Sequence, residues 1–173
     1  MQREDQPVMT TGLEQIAVKA RCEPKLRFTS LAHHITKERA WENLYQIPAK
    51  SAAGVDGQTV TEAKESFEEW IAGMLQSVHR EGYRAPDIRR VYIPKPGKQE
   101  MRPLGVPTVA DRALQRSVSQ VLSAIYEQDF LTCSFGGRTG RGAHQALATL
   151  HRGLLAGRSS GCWRRISRTS LGA

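Results

Sequence analysis

Residues 88–122 read IRRVYIPKPGKQEMRPLGVPTVADRALQRSVSQVL, and the reading of this stretch decides the fold. Two short runs of β-like composition, Val91 to Ile93 and Met101 to Val106, flank PKPGKQE, which holds too much Pro and Gly to be helical. The unit is therefore expected to be a hairpin whose tip presents Lys95, Lys98 and Arg102. Pro107 then introduces Thr108, with Asp111 three residues on, a capping-box-like start in which Asp replaces the usual Glu. Beyond it Ala110, Ala113, Leu114, Ser117, Val118, Val121, Leu122 and Ile125 fall on one helical face, with Arg112, Gln115, Arg116 and Gln120 off it. That face is most simply core packing.

Upstream, Phe67, Trp70, Ile71, Met74, Leu75 and Val78 follow the spacing of a buried helical face in a helix from about Thr61, which Gly82 stops. Before it, SAAGVDGQTV places Gly54 and Gly57 around Asp56, a composition suited to a tight turn. A first helix is expected to carry Leu31, Ile35, Trp41, Leu44 and Tyr45, with Thr29 or Ser30 as cap and Pro48 as its end. Residues 1–28 are polar and weakly patterned, with material for one short helix at Leu13, Ile16, Ala17 and Ala20, and are expected to be a mobile lead-in. Downstream of the hairpin and its helix, a Gly-rich basic loop, Gly136 to Gly142, precedes a helix from about Ala143 to Leu155. The backbone amides of such a loop and the positive end of the helix suit a phosphate, with Arg138 and Arg141 beside them. His144 is better read as a capping or packing residue than as a catalyst.

The chain has 173 residues and a formal net charge of +8, with a pI near 9.8. Such a balance favours a polyanionic partner, because Lys and Arg gain affinity by releasing phosphate counterions. Half of that excess rests on Arg158, Arg164, Arg165 and Arg168, in a terminal stretch without any acidic residue. The other concentration is Arg80 to Arg102, where seven basic residues face only Glu81, Asp87 and Glu100. A charge run is usually just a solvated surface. Its placement on a hairpin makes Arg89, Arg90 and Lys98, with Arg138 and Arg141 of the Gly-rich loop, the candidate residues for binding a polyanion. Cys22, Cys133 and Cys162 are odd in number and widely spaced, which argues against a disulfide framework or a zinc site. No apolar run approaches a bilayer span and the start lacks a signal-peptide core, so the expectation is a cytoplasmic chain with no membrane partner.

Three ordered blocks, AAGVDGQTV, RRVYIPKPGKQEMRPLGVPTVADRALQ and DFLTCSFGGRTGRGAHQAL, resemble the N-terminal part of a bacterial group II intron-encoded reverse transcriptase, or maturase, over about Phe28 to Leu155. The resemblance implies a fingers subdomain, and that the polyanion bound by Arg89, Arg90, Lys98, Arg138 and Arg141 is RNA. It implies that Lys95 and Arg102 contact the triphosphate of an incoming deoxynucleotide, that AGVDGQT helps grip template or intron RNA, and that the Gly-rich loop approaches the template strand. In that loop Gly137 stands where the family usually has an aromatic and Thr139 where it usually has proline.

In the full-length family, palm aspartates hold two Mg²⁺ ions, the cofactor of polymerisation. Neither the strand that bears the first nor the Tyr-Ala-Asp-Asp hairpin is present, and no Asp or Glu follows Asp129. The chain therefore has no catalytic or metal-ligating candidate. One coding sequence compatible with residues 161–172, GCWRRISRTSLG, reads Val-Leu-Glu-Ala-Asp-Ile-Lys-Asn-Phe-Phe-Gly from the third base, which resembles the family's first catalytic strand. Its Leu is forced, since any Cys codon before the Trp codon yields it. A one-nucleotide slip near Arg158 to Gly161 is the expectation.

The expected fold is α+β, with helices around a small antiparallel hairpin, resembling reverse-transcriptase fingers without a palm. Its divisions would be 1–28, the lead-in; 29–157, a partial reverse transcriptase domain; and 158–173, an out-of-frame, disordered tail. Without the palm, the apolar faces around Phe67, Met74 and Leu114 are expected to be wet. Two further readings stay open. One is a stand-alone RNA-binding or splicing-helper module without catalysis, and the other is a product without function that records a decayed mobile element.

Overall fold

The computed structural model describes residues 12–80, 82–97 and 99–156. It is an α+β arrangement of six α-helices, among the described residues, and one two-stranded antiparallel sheet. The order is α1 (Gly12–Cys22), α2 (Lys37–Tyr45), α3 (Val60–Glu65), α4 (Phe67–His79), β1 (Arg89–Pro94), β2 (Met101–Val106), α5 (Val109–Tyr126) and α6 (Ala143–Leu155), with a 3₁₀ turn at Ala32–His34. The chain divides into two compact units, the first ending at Asp129 and the second beginning at Phe130. That boundary falls inside the single 29–157 domain expected from sequence. The expected tail, 158–173, and its four arginines lie outside the described residues.

The first unit is built on α5, against which α1, α2 and α3 pack. Its core joins Ala40, Leu44 and Ile47 to Val60, Ala63, Phe67, Ile71, Val109 and Ala113. Burying Phe67 and Leu114, at 4% and 6% exposure, corrects the expectation that their faces are left wet, whereas Met74 is half-buried. Within the core, Asn43 Nδ2 on α2 donates to Ser117 Oγ (3.0 Å) and Gln120 Oε1 (2.9 Å) on α5. A buried amide is tolerated only with such partners, so this pair also sets the register of the two helices.

Capping chemistry explains where the helices begin. Thr36 Oγ1 accepts from Arg39 N to start α2, about two turns later than the expected Thr29 or Ser30. Thr59 and Glu62 form a reciprocal capping box at α3. The expected single helix from Thr61 is broken at Ser66, whose hydroxyl donates to Glu62 O and ends α3 before α4 begins. On α2 the buried set is Ala40, Asn43 and Leu44, while Trp41 and Tyr45 face outward. On α5 the buried face is rotated relative to the expected one: Val109 and Asp111 are inside, Ala110 is half-buried and Leu122 is exposed.

Residues 12–22 form the short helix for which the sequence held material at Leu13, Ile16, Ala17 and Ala20, with Ile16 and Ala20 buried and α1 packed on α5. One expectation needs correction here. The hairpin is not surrounded by helices. All of β1 and five of the six residues of β2 are exposed, and only Val106 is buried, since both faces of the strand pair carry basic side chains. Among the described residues no helix is long and apolar enough to cross a membrane.

The packing of α2 on α5 and the exposure of Leu122 are testable by unfolding in urea. Leu44→Ala is expected to lower stability by about 2–5 kcal/mol, the range for a fully buried large-to-small change. Leu122→Ala, on the face expected from sequence to be buried, should fall within about 0.5–1 kcal/mol of the parent chain.

Candidate nucleic-acid interface

The hairpin pairs Arg89 with Val106, Val91 with Leu104 and Ile93 with Arg102 on one face, and Arg90 with Gly105, Tyr92 with Pro103 and Pro94 with Met101 on the other. One face thus sets Arg89 and Arg102 around an apolar strip of Val91, Ile93 and Leu104. The other sets Arg90 beside the ring of Tyr92. Tyr92 is 55% exposed, so its ring is open to a stacking partner. The turn closes with Lys95 N donating to Glu100 O (3.0 Å), and Gly97, at φ 72°, supplies the left-handed residue it needs. Lys98 lies outside the described residues.

Lys95 is not a bare charge. Its Nζ meets Glu100 Oε2 at 2.6 Å. That hydrogen bond, and then the charge of Lys95, holds the Glu100 carboxyl below the usual glutamate range. Arg89, Arg90 and Arg102 have no carboxylate partner among the described residues, so the arginines are the hairpin's unopposed cations. Sequence grouped Lys95 with Arg102; the structure puts the lysine in the turn, paired, and the arginine on the strand opposite Ile93.

The hairpin's base is held by Asp111 and by Tyr83, which the sequence reading did not single out. The hydroxyl of Tyr83 donates to Asp111 Oδ1 (3.0 Å), and Gln115 Nε2 donates to Asp111 Oδ2 (2.7 Å). Thr108 Oγ1 accepts from Asp111 N (3.2 Å), so the cap forms, but the carboxylate is turned toward Tyr83 and Gln115. Burial, and then the hydrogen bond to Asp111, push the Tyr83 hydroxyl up to about 12. Gly54 is buried against the Pro107–Thr108 backbone. Only Gly57, at φ 71°, serves the backbone freedom expected of both loop glycines.

In the second unit, Arg138 Nη1 donates to Leu131 O (3.1 Å) and Ser134 O (3.0 Å), and its guanidinium lies 4.9 Å from the Phe130 ring centre. Arg141 Nη1 donates to Thr132 O (2.7 Å) and lies over Phe135. Both arginines, expected to contact RNA, thus tie down the carbonyls of their own loop. Gly137 and Gly140 adopt φ 68° and 70°, which gives the glycine at 137 a conformational reason. The helix after the loop, α6, begins at Ala143 with Gly142 as its cap, and His144 is exposed in its first turn. None of its residues is buried, and Leu147, Leu150, Leu154 and Leu155 are exposed.

No protein-family profile matches the chain. Over 138 residues, 76% of its length, it is 35% identical to group II intron-encoded protein LtrA of Lactococcus lactis subsp. cremoris. The chain is a relative of the group II intron-encoded proteins. It is also 34% identical over 157 residues, 86% of its length, to protein YkfC of Escherichia coli strain K12. An uncharacterized 91 kDa protein in the cob intron of Schizosaccharomyces pombe matches 80 residues at 36% identity. These matches span 22%, 40% and 10% of the respective relatives, so the chain corresponds to a part of each. Among the described residues no group of three or more His, Cys, Asp or Glu side chains is placed to hold a metal ion.

If Glu100 competes for Lys95, Glu100→Gln should tighten binding to a polyanion such as heparin at low salt. The expected gain is roughly twofold to fivefold, the scale of one exposed ion pair, and it should fade as salt is raised.

Proposed function

We propose that the chain is the fingers portion of a group II intron-encoded reverse transcriptase/maturase, an RNA-directed DNA polymerase family involved in intron splicing and mobility. Alone it acts at most as an RNA-binding element. The observation that carries this reading is the solvated hairpin, with Arg89, Arg90 and Arg102 unopposed by carboxylates among the described residues. Guanidinium groups donate well to phosphate oxygens, and Tyr92 adds a ring on which an unpaired base can stack. Relatedness to group II intron-encoded proteins supports RNA, from an intron or a template, as the polyanion. Lys95 and Arg102 are assigned to the deoxynucleotide triphosphate in the complete protein, with Lys95 exchanging Glu100 for phosphate. Arg138 and Arg141 serve RNA chiefly by holding their loop in shape.

Binding should be salt-sensitive and weakly sequence-selective, because phosphate contacts carry affinity and little specificity. Replacing Lys95, Lys98 and Arg102 together by Ala should weaken binding to a single-stranded RNA and make the salt slope shallower by roughly two, about 0.7 per lost phosphate contact. Unchanged affinity would remove the hairpin from the interface. The purified chain should give no primer extension on an RNA template with Mg²⁺ and nucleotides, since it has no acidic residue after Asp129. Extension above a mock preparation would overturn that part of the proposal.

The tail is assigned to an out-of-frame reading of a catalytic strand. Sequencing the DNA beyond the codon for Gly157 is expected to reveal, in the alternative frame, a strand with Asp and Phe-Phe and later a Tyr-Ala-Asp-Asp motif. A downstream sequence without that frame would sink the assignment.

A further inference from the structure

Each strand of the hairpin packs chiefly on the other, and the exposed residues of β1 and β2 leave Val106, at the base, as the pair's buried member. A two-stranded ribbon is marginal by itself and takes its direction from whatever holds its ends. Here both ends are held. On the entering side, Tyr83 lies six residues before Arg89 and donates to Asp111, in the first turn of α5, the helix that begins three residues after β2 ends. One hydrogen bond thus joins the chain entering the hairpin to the helix leaving it.

On the leaving side, the loop 52–58 lies directly on Pro107 and Thr108. A Cβ added at Gly54 would sit 2.6 Å from Thr108 Cα, 2.8 Å from Thr108 N and 3.0 Å from Pro107 C. Those are backbone atoms, which cannot rotate aside as a side chain can. Arg112 Nη2 adds a hydrogen bond of 2.7 Å to Ala52 O. Ile88 closes over the same base, where a Cβ at Gly105 would meet Ile88 Cγ2 at 2.8 Å.

We infer that the 52–58 loop and the Tyr83–Asp111 hydrogen bond form a clamp on the hairpin's base that sets the direction in which Arg89, Arg90 and Arg102 are presented to an RNA backbone. The inference rests on the reading of the hairpin as the RNA-binding arm. Gly54, Tyr83 and Asp111 are positioning residues, since they act through Thr108 and α5. The AGVDGQT segment accordingly contributes to RNA binding from behind the hairpin through its buried glycine. The clamp's donor persists across ordinary pH, because the Tyr83 hydroxyl ionises only at about 12.

The test uses the full chain with Tyr83→Phe, Asp111→Ala, Asp111→Asn and Gly54→Ala. It reads backbone hydrogen exchange residue by residue, and binding of a fluorescent oligouridine RNA. Tyr83→Phe and Asp111→Ala should speed exchange in Arg89–Pro94 and Met101–Val106 roughly tenfold, the scale of one lost hydrogen bond to a charged group. Exchange in α2 and α4 should stay unchanged, and RNA affinity should fall severalfold although no basic residue is lost. Asp111→Asn keeps an acceptor for the Tyr83 hydroxyl, and Gln115 can turn its amide to match, so it should restore most of both readouts. Gly54→Ala should act in the same direction and more strongly. Should Gly54→Ala or Asp111→Ala fail to fold, Tyr83→Phe, which removes a single oxygen, still decides.

Unchanged hairpin exchange in Tyr83→Phe would overturn the clamp, as would equal acceleration in the helices, which marks a merely structural role. Loosened hairpin exchange in a chain whose parent does not bind the oligouridine would support the clamp and overturn the RNA reading.

Discussion

The packing of α2 on α5 is the contact on which the first unit depends. Leu44 is fully buried, and Ala113 and Ser117 are small enough to bring the two helices close. Asn43 then fixes their register by donating to Ser117 and Gln120 across the interface. Apolar burial alone would tolerate a slide of one helix along the other; a buried amide with two specific acceptors does not. Asn43 Oδ1 has no partner among the described residues, a local cost of about 1–3 kcal/mol that the surrounding core offsets.

With its register set, α5 determines what happens at its N-terminus. Thr108 and Asp111 occupy its first turn, so the position of that turn decides where β2 ends, where the 52–58 loop can rest and which carboxylate Tyr83 meets. The hairpin gains little from packing of its own. Its direction is therefore inherited from the helix core, through a few backbone contacts and one hydrogen bond. An exposed basic arm held at a rigid base suits a long polyanion, because the arginines are pre-aimed while their guanidinium groups remain hydrated until phosphate replaces water. The Lys95–Glu100 pair tempers the tip and leaves the strand arginines as the dominant field.

Much of this was legible in the chain. The hairpin, the Thr108 cap, α4 and α6 follow from local signals: β-like runs around PKPGKQE, a Thr three residues before Asp, apolar spacing near 3.6, and glycine before a helical run. Relatedness to group II intron-encoded proteins was legible too, in three ordered blocks of residues. The break between α3 and α4 was not, because Ser66 can sit inside a helix or cap one, and its hydroxyl chooses only when a free carbonyl is at hand.

The sequence by itself determined most of the helical segments and both strands, the Thr108 cap, and that the basic residues concentrate on a hairpin. These are properties of neighbours along the chain. Tertiary structure alone decided that Lys95 is paired, that Arg138 and Arg141 bond their own loop, that Asp111 turns from its cap to Tyr83, and that Gly54 is needed for a close backbone approach. The physical reason is range. A charge or a glycine is visible in one dimension, but its partner, 28 residues away for Tyr83 and Asp111, is chosen only when the helices have packed.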